Sequence, residues 1–356
     1  MKKVLFIIPT LTQTNGVAAF MVNYISKFKF EQFEIEIIYN NLRPAESYID
    51  FFKRKKINTY NLPYVRDVGI KEYSNAIKLF FKEHHDYDFI YSNVSYQTYF
   101  FYKEAKKYGI TNFAIHAHAT QSSDNRIKNF LGNILQKKVN RLVKNHFACS
   151  KLAGKAMFKN NNFTIINNAI DYKKFMYNEE NRKKIRKENN IKDTEKVIGF
   201  VGRFVAQKNI FFFIDLIKML PSNYKVIMIG TGVLQKEFIN RVNAEQLEDQ
   251  FIFLNEITNV NEYYSCFDYF LLPSLYEGLP VVGVEAQANG LPCLFSDTIS
   301  DECRISNNTV YLNKDNIDEW VEKIEMMGRN KVVNLNDDFN IEIQSVKFEE
   351  EINKII

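Results

Sequence analysis

The sequence is poor in cysteine, has no long apolar run and carries no large excess of either charge. Its four cysteines, Cys149, Cys266, Cys293 and Cys303, form no C-x-x-C pair. They are too sparse for a disulfide scaffold, and a reducing cytoplasm fits them best. No apolar stretch approaches the roughly 20 residues of a membrane helix. The opening MKKVLFIIPTL pairs basic residues with an apolar run, as a signal peptide does. It breaks at Pro9 with no small-residue cleavage site following, so it reads as a first strand. With 47 basic against 42 acidic residues the net charge is +5, too balanced for a nucleic-acid binder, so any basic function must be local.

Hydrophobic residues at 46% and charged residues at 25% describe a globular chain, and 356 residues favour two domains. Strand-like runs alternate with helical patterns, the mark of parallel sheets built from βαβ units. KVLFIIP, TLTQTNG and VAAFMVNYISKF open the first half as strand, loop and helix. KVIGFVG, RFVAQKN and IFFFIDLIKML open the second half in the same order. Two Rossmann-like, doubly wound α/β domains facing a cleft are expected, with ligand at the carboxyl ends of their strands. The loop PTLTQTNG lacks G-x-G-x-x-G, which argues against a Rossmann oxidoreductase. Further strands are expected near FEIEIIYN, FIYSN, NFAIHAH and HFACS, then near KVIMIG, FIFLN, YFLLPS and LPCLFS. The expected division is 1–165, 166–335 and a terminal helical segment 336–356 whose packing partner the sequence does not specify.

Two carboxylates stand eight positions apart in YEGLPVVGVE, Glu277 and Glu285, just after the apolar YFLLPS. Gly278 permits a tight turn and Pro280 suits the first turn of a helix. That places Glu277 in the loop at the helix entrance and Glu285 inside the helix. Carboxylates there can accept from vicinal hydroxyls of a sugar or ribose; alternatively they complement the helix dipole and solvent. A basic pair changes the balance. In GFVGRFVAQKN, Arg203 follows a strand and a glycine, and Lys208 comes five positions later. Arg offers a planar fork to phosphate oxygens and Lys a compact charge. Near a helix N-terminus the two would neutralise a diphosphate.

GRFVAQKN together with E277-x7-E285 in PSLYEGLPVVGVEAQANGLP closely resembles the family 4 glycosyltransferases, retaining enzymes of the GT-B fold. FACS at 147–150, INNAID at 166–171 and IGTGVL at 229–234 fall in that family's order and spacing. Five motifs in register are far more specific than any one. The resemblance implies that Arg203 and Lys208 bind the nucleotide diphosphate and stabilise it as leaving group, without a metal ion or cofactor. It implies that Glu285 takes the ribose hydroxyls and Glu277 the donor sugar, with Glu277 not a covalent nucleophile. The amides of Gly278 and Leu279 would lie near sugar and phosphate. Gly230, Gly232 and, from the first domain, Gly16 would let backbone approach the ligand. It implies bacterial capsule or exopolysaccharide synthesis, with a nucleotide sugar, UDP-sugar favoured, as donor and a glycan or lipid-linked glycan as acceptor. The chain departs from the family at Ala169, where Asn-Gly-Ile-Asp is usual, and at Asn255, where glycine is usual beside the probable base pocket.

In NFAIHAHAT, His116 and His118 lie on one strand face. In the family a histidine at this place contacts the donor sugar, and His118 lies nearer the loop. Structural roles are the alternative, and no third ligand stands at metal-site spacing. Residues 126–145, RIKNFLGNILQKKVNRLVKN, carry six basic residues, no acid and an apolar stripe at helical spacing. Such a helix suits an anionic membrane surface, here the inner face of the cell membrane, or else buries its stripe in the first core. VSYQTYFFY offers Asn93 and Tyr96 as acceptor-side candidates. The functional alternatives are a nucleotide-sugar epimerase and a non-catalytic nucleotide-binding subunit.

Overall fold

The computed structural model describes all residues except 14, 30–31, 41–46, 119–125, 160–161 and 331–334, together with the side chains of 126–131. The chain divides into two compact units. One comprises Met1–Ala169 with Ile341–Ile356, and the other Ile170–Asn340. The first therefore runs four residues past the expected boundary at 165, because Ile166 and Ala169 pack into its core.

The strands of the first unit are β1 (Lys2–Ile8), β2 (Phe33–Asn40), β3 (Asn58–Leu62), β4 (Phe89–Ser92), β5 (Phe113–Ala117), β6 (Asn145–Ala148) and β7 (Thr164–Ile165). They form one parallel sheet in the order β3-β2-β1-β4-β5-β6-β7. In β1 the side chains divide between the faces with period two. Val4, Phe6 and Ile8 join one core layer, while Leu5 and Ile7 join the other. Burial on both faces explains why the strand reads as an unbroken apolar run. The terminal helix Ile341–Asn353 packs on the Phe6 side. There the Phe348 ring lies 5.0 Å from Tyr91 and 5.1 Å from Tyr24.

The second unit holds β8 (Lys196–Val201), β9 (Tyr224–Ile229), β10 (Phe251–Leu254), β11 (Tyr269–Leu272), β12 (Cys293–Ser296) and β13 (Thr309–Leu312). These are parallel in the order β10-β9-β8-β11-β12-β13. Its core takes in the chain's single tryptophan, Trp320, fully buried against Phe212, with the indole N–H donating to Asn313 O at 3.0 Å. Both sheets therefore reverse strand order once, between β1 and β4 and between β8 and β11. The loops leaving the carboxyl ends at such a reversal diverge and leave room for a ligand.

The helix Arg126–Leu142 lies in the first unit. Val139 and the following Val143 are buried in its core, and Leu135 packs against them. Lys137, Lys138, Arg141 and Lys144 are exposed, and Ile134 and Leu142 remain 39% exposed. Part of the expected apolar stripe is thus core. The expectations for Arg126, Ile127, Lys128, Phe130 and Leu131 lie outside the described side chains. Among the described residues no helix is long and apolar enough to cross a membrane.

Candidate active site

Three loops meet at the reversal point of the second sheet. The loop after β8 begins Gly202-Arg203, that after β9 is Gly230-Thr231-Gly232, and that after β11 runs to Glu277-Gly278. Backbone bonds tie the first two together: Gly202 N donates to Ile229 O (2.9 Å) and Phe204 N to Thr231 O (2.8 Å). The fit gives the two glycines a packing role of their own. Gly230 has φ +136°, and a Cβ there would stand 2.1 Å from Gly202 O, while one at Gly232 would stand 2.3 Å from Phe204 O. Their missing side chains are required by the protein's own backbone, whatever approaches them from outside.

The β8 and β11 loops are joined by Gln207 and Lys208. Leu275 N donates to Gln207 O (2.8 Å), and Gln207 Nε2 donates to Tyr276 O (2.9 Å) and more weakly to Glu277 Oε2 (3.4 Å). Lys208 Nζ meets Glu277 Oε1 at 2.5 Å, with the two side chains 11% and 9% exposed. The lysine stem rests near Gly202, since a Cβ there would be 3.4 Å from Lys208 Cε. Arg203, one residue on, is exposed, and its guanidinium makes no hydrogen bond or ion pair with a described residue. A shielded ion pair beside a free guanidinium is an arrangement that a diphosphate and a polyol can enter by exchange.

Glu285 is placed separately. Pro280 caps the helix Val281–Ala288 from outside, one position earlier than the expected first turn, and Glu285 is half-buried one turn in. Tyr264 Oη donates to Glu285 Oε2 at 2.7 Å. Burial raises the pKa of Glu285, while the Tyr264 bond and the charge of Lys174 act the other way. No bond links Glu285 to Glu277 or Lys208, so the structure joins Lys208 and Glu277 and leaves Glu285 with Tyr264. Leu279 is buried, and the Gly278 amide donates to no described residue.

In the first unit Asn15 caps the helix Gly16–Lys27, its Oδ1 accepting from Val17 N and Ala18 N. A Cβ on Gly16 would meet nothing within 4 Å, so its backbone is open to approach. His118 follows β5 and stacks on His116, ring centroids 4.0 Å apart. His116 is 1% exposed and shares a 2.8 Å hydrogen bond with Tyr91 Oη, which makes it structural. His118 is half-buried, and burial pushes its pKa down to about 3. Asn93 is turned to His118 and buried, not open to an acceptor. Tyr96 is half-buried beside Gly132.

A family model described as Glycosyl transferases group 1 matches residues 181–344. The chain is 30% identical over 253 residues to the putative glycosyltransferase EpsF of Bacillus subtilis, covering 68% of this chain and 63% of EpsF, so the match spans under two thirds of that relative. Residues 181–344 belong to the group 1 glycosyl transferases. An Escherichia coli UDP-Gal:alpha-D-GlcNAc-diphosphoundecaprenol alpha-1,3-galactosyltransferase is 23% identical, with 86% of this chain and 82% of that one covered. The fold is that of the HepE crystal structure from Anabaena in complex with UDP and glucose: TM-score 0.83, 14% identity, 99% and 100% covered. Both are two-domain GT-B architectures.

Gln207 and Tyr264 hydrogen-bond the candidate carboxylates, and neither was singled out from the sequence. Gln207 adjoins Lys208, and its polar side chain was the available signal. Tyr264 had none, because it reaches Glu285 from a separate helix, Val260–Cys266. Among the described residues no group of three or more His, Cys, Asp or Glu is placed to hold a metal ion.

Proposed function

We propose that this group 1 glycosyltransferase moves a hexosyl or N-acetylhexosaminyl group from a UDP-sugar to a glycan or lipid-linked glycan, with retention, in cell-surface polysaccharide synthesis. The observation that carries the reading is the shielded Lys208–Glu277 pair at the reversal point of the second sheet, with Arg203 free beside it. In the reaction the diphosphate gathers negative charge as the sugar departs. Arg203 and Lys208 are preorganised cations for that charge, and Glu277, released from Lys208, accepts from sugar hydroxyls. Glu285 offers its second oxygen to ribose while Tyr264 holds the first. UDP is favoured as nucleotide because HepE was crystallised with it and the E. coli relative is named for UDP-Gal.

A thermal-shift screen with UDP, GDP, ADP and their sugars tests this. A ligand that binds only the folded chain adds about 2.7 kcal/mol at a hundredfold excess over Kd. We expect UDP and one UDP-sugar to raise Tm saturably, and silence from every nucleotide would overturn the proposal.

A further inference from the structure

Asn93 and His118 leave the carboxyl ends of β4 and β5, next to the strand reversal of the first sheet. His118 Nε2 lies 2.8 Å from Asn93 Oδ1, and the amide nitrogen of Asn93 turns the other way, to Met21 Sδ at 3.5 Å. Asn93 is 5% exposed, and its backbone N–H is held by Ile7 O at 2.7 Å. A carboxamide oxygen accepts and never donates, so the imidazole proton must sit on Nε2. The reversed amide would aim an oxygen lone pair at the thioether and give up the N–H···S contact. Two aromatic neighbours hold the plane of the ring. His116 stacks on it at 4.0 Å, and Phe20 abuts it at 5.0 Å. The remaining nitrogen, Nδ1, has no partner among the described residues. The His118 side chain is half-buried, whereas His116 is sealed in the core.

We propose that Asn93 is a positioning residue that fixes His118 as the Nε2–H tautomer, so that Nδ1 stands ready to accept a hydrogen bond from a substrate hydroxyl. The substrate half of this rests on the sugar-transfer reading above; the tautomer does not. A neutral ring is also what acceptance requires, and burial keeps His118 neutral at physiological pH. Asn93 acts through the imidazole and touches no reacting atom.

Long-range 1H–15N correlation spectra of the full chain, labelled with 15N-histidine, decide the matter at neutral pH. His118 is one of five histidines and is assigned by its disappearance in His118→Gln. The expected spectrum shows one tautomer with Nε2 protonated, Nδ1 bare, and an Nε2 proton protected from exchange. In Asn93→Leu that protection falls by about tenfold, the scale of one lost hydrogen bond, and both tautomers appear. Asn93→Asp, which keeps an accepting oxygen, retains the protonated Nε2. A protonated Nδ1 with bare Nε2 in the wild type, or an unaltered His118 signal in Asn93→Leu, overturns the proposal. If Asn93→Leu does not fold, the wild-type and Asn93→Asp spectra discriminate in its place: loss of the protonated Nε2 in either one overturns the proposal. No ligand is used, so a failure of nucleotide sugars to bind would sink the functional reading and leave this result standing.

Discussion

The Lys208–Glu277 pair permits a quantitative test on the second unit alone. At 2.5 Å two unit charges attract by about 7 kcal/mol at an effective dielectric of 20, and desolvation offsets most of that for side chains so little exposed. Removing one partner leaves a shielded charge with nothing opposite it. Lys208→Met strands Glu277 with only the 3.4 Å contact from Gln207, and Glu277→Gln strands the ammonium. Each single change should cost about 3 kcal/mol, the lower end for breaking a buried pair. The double variant removes both charges and should cost no more than either, giving a coupling of at least about 3 kcal/mol. The assay is urea unfolding followed by tryptophan fluorescence. Trp320 is the chain's single tryptophan and is buried in the second unit, so the signal reports that unit without contribution from the other. Additive single effects, with coupling below about 0.5 kcal/mol, would mean the pair behaves as a solvent-screened surface contact. A shielded, exchangeable site would then be refuted.

Three further outcomes are expected. Arg203→Ala should lower transfer by roughly a hundredfold, the effect of losing one preorganised donor of about 3 kcal/mol. Its urea midpoint should not change, because the Arg203 side chain is exposed and bonds to no described residue; near-normal turnover would remove it from the site. For Glu285, burial lifts the folded pKa above the ordinary 4.5, so the folded chain holds the extra proton between the two values. Stability therefore falls as pH rises through that window. Glu285→Gln keeps an oxygen for Tyr264 Oη and should raise Tm at pH 7 but not at about pH 4, while weakening nucleotide binding; equal shifts at both pH values would contradict the effect of burial. Finally, the exposed Lys137, Lys138 and Arg141 are proposed to attract an anionic bilayer, at about 1 kcal/mol per charge. Converting all three to Glu should abolish flotation with anionic liposomes and leave the melting curve unchanged, and persistent flotation would confine this helix to a packing role.

What the sequence disclosed and what it concealed divides along one physical line. Features that depend on neighbours close in the chain were legible. The opening strands KVLFIIP and KVIGFVG fall on β1 and β8 because burial on both faces leaves an unbroken apolar run. The loop after β8 carries the charged pair Arg203 and Lys208, five positions apart. The edge strands β3 and β13 escaped, since NTYNL is only partly buried along its whole length and TVYL opens on a polar threonine and is only half-buried at Val310 and Tyr311; neither has the continuous apolarity of a central strand. Long-range fits were hidden for a stronger reason. Nothing in IGTGV says that Gly230 and Gly232 yield space to Gly202 and Phe204, and nothing in VKFEEEINKII says that Phe348 returns to Tyr24 and Tyr91 some 250 to 320 residues earlier. The same distinction orders the site. Arg203, Lys208, Glu277 and Glu285 could be picked out by residue type and spacing. The groups that restrain them, Gln207 across two loops and Tyr264 from another helix, were fixed only when the sheet brought β8 and β11 side by side. Reactive groups are thus read from local pattern, whereas their orientation is a property of strand order, and in this chain it is orientation that decides which charges are free to meet a ligand.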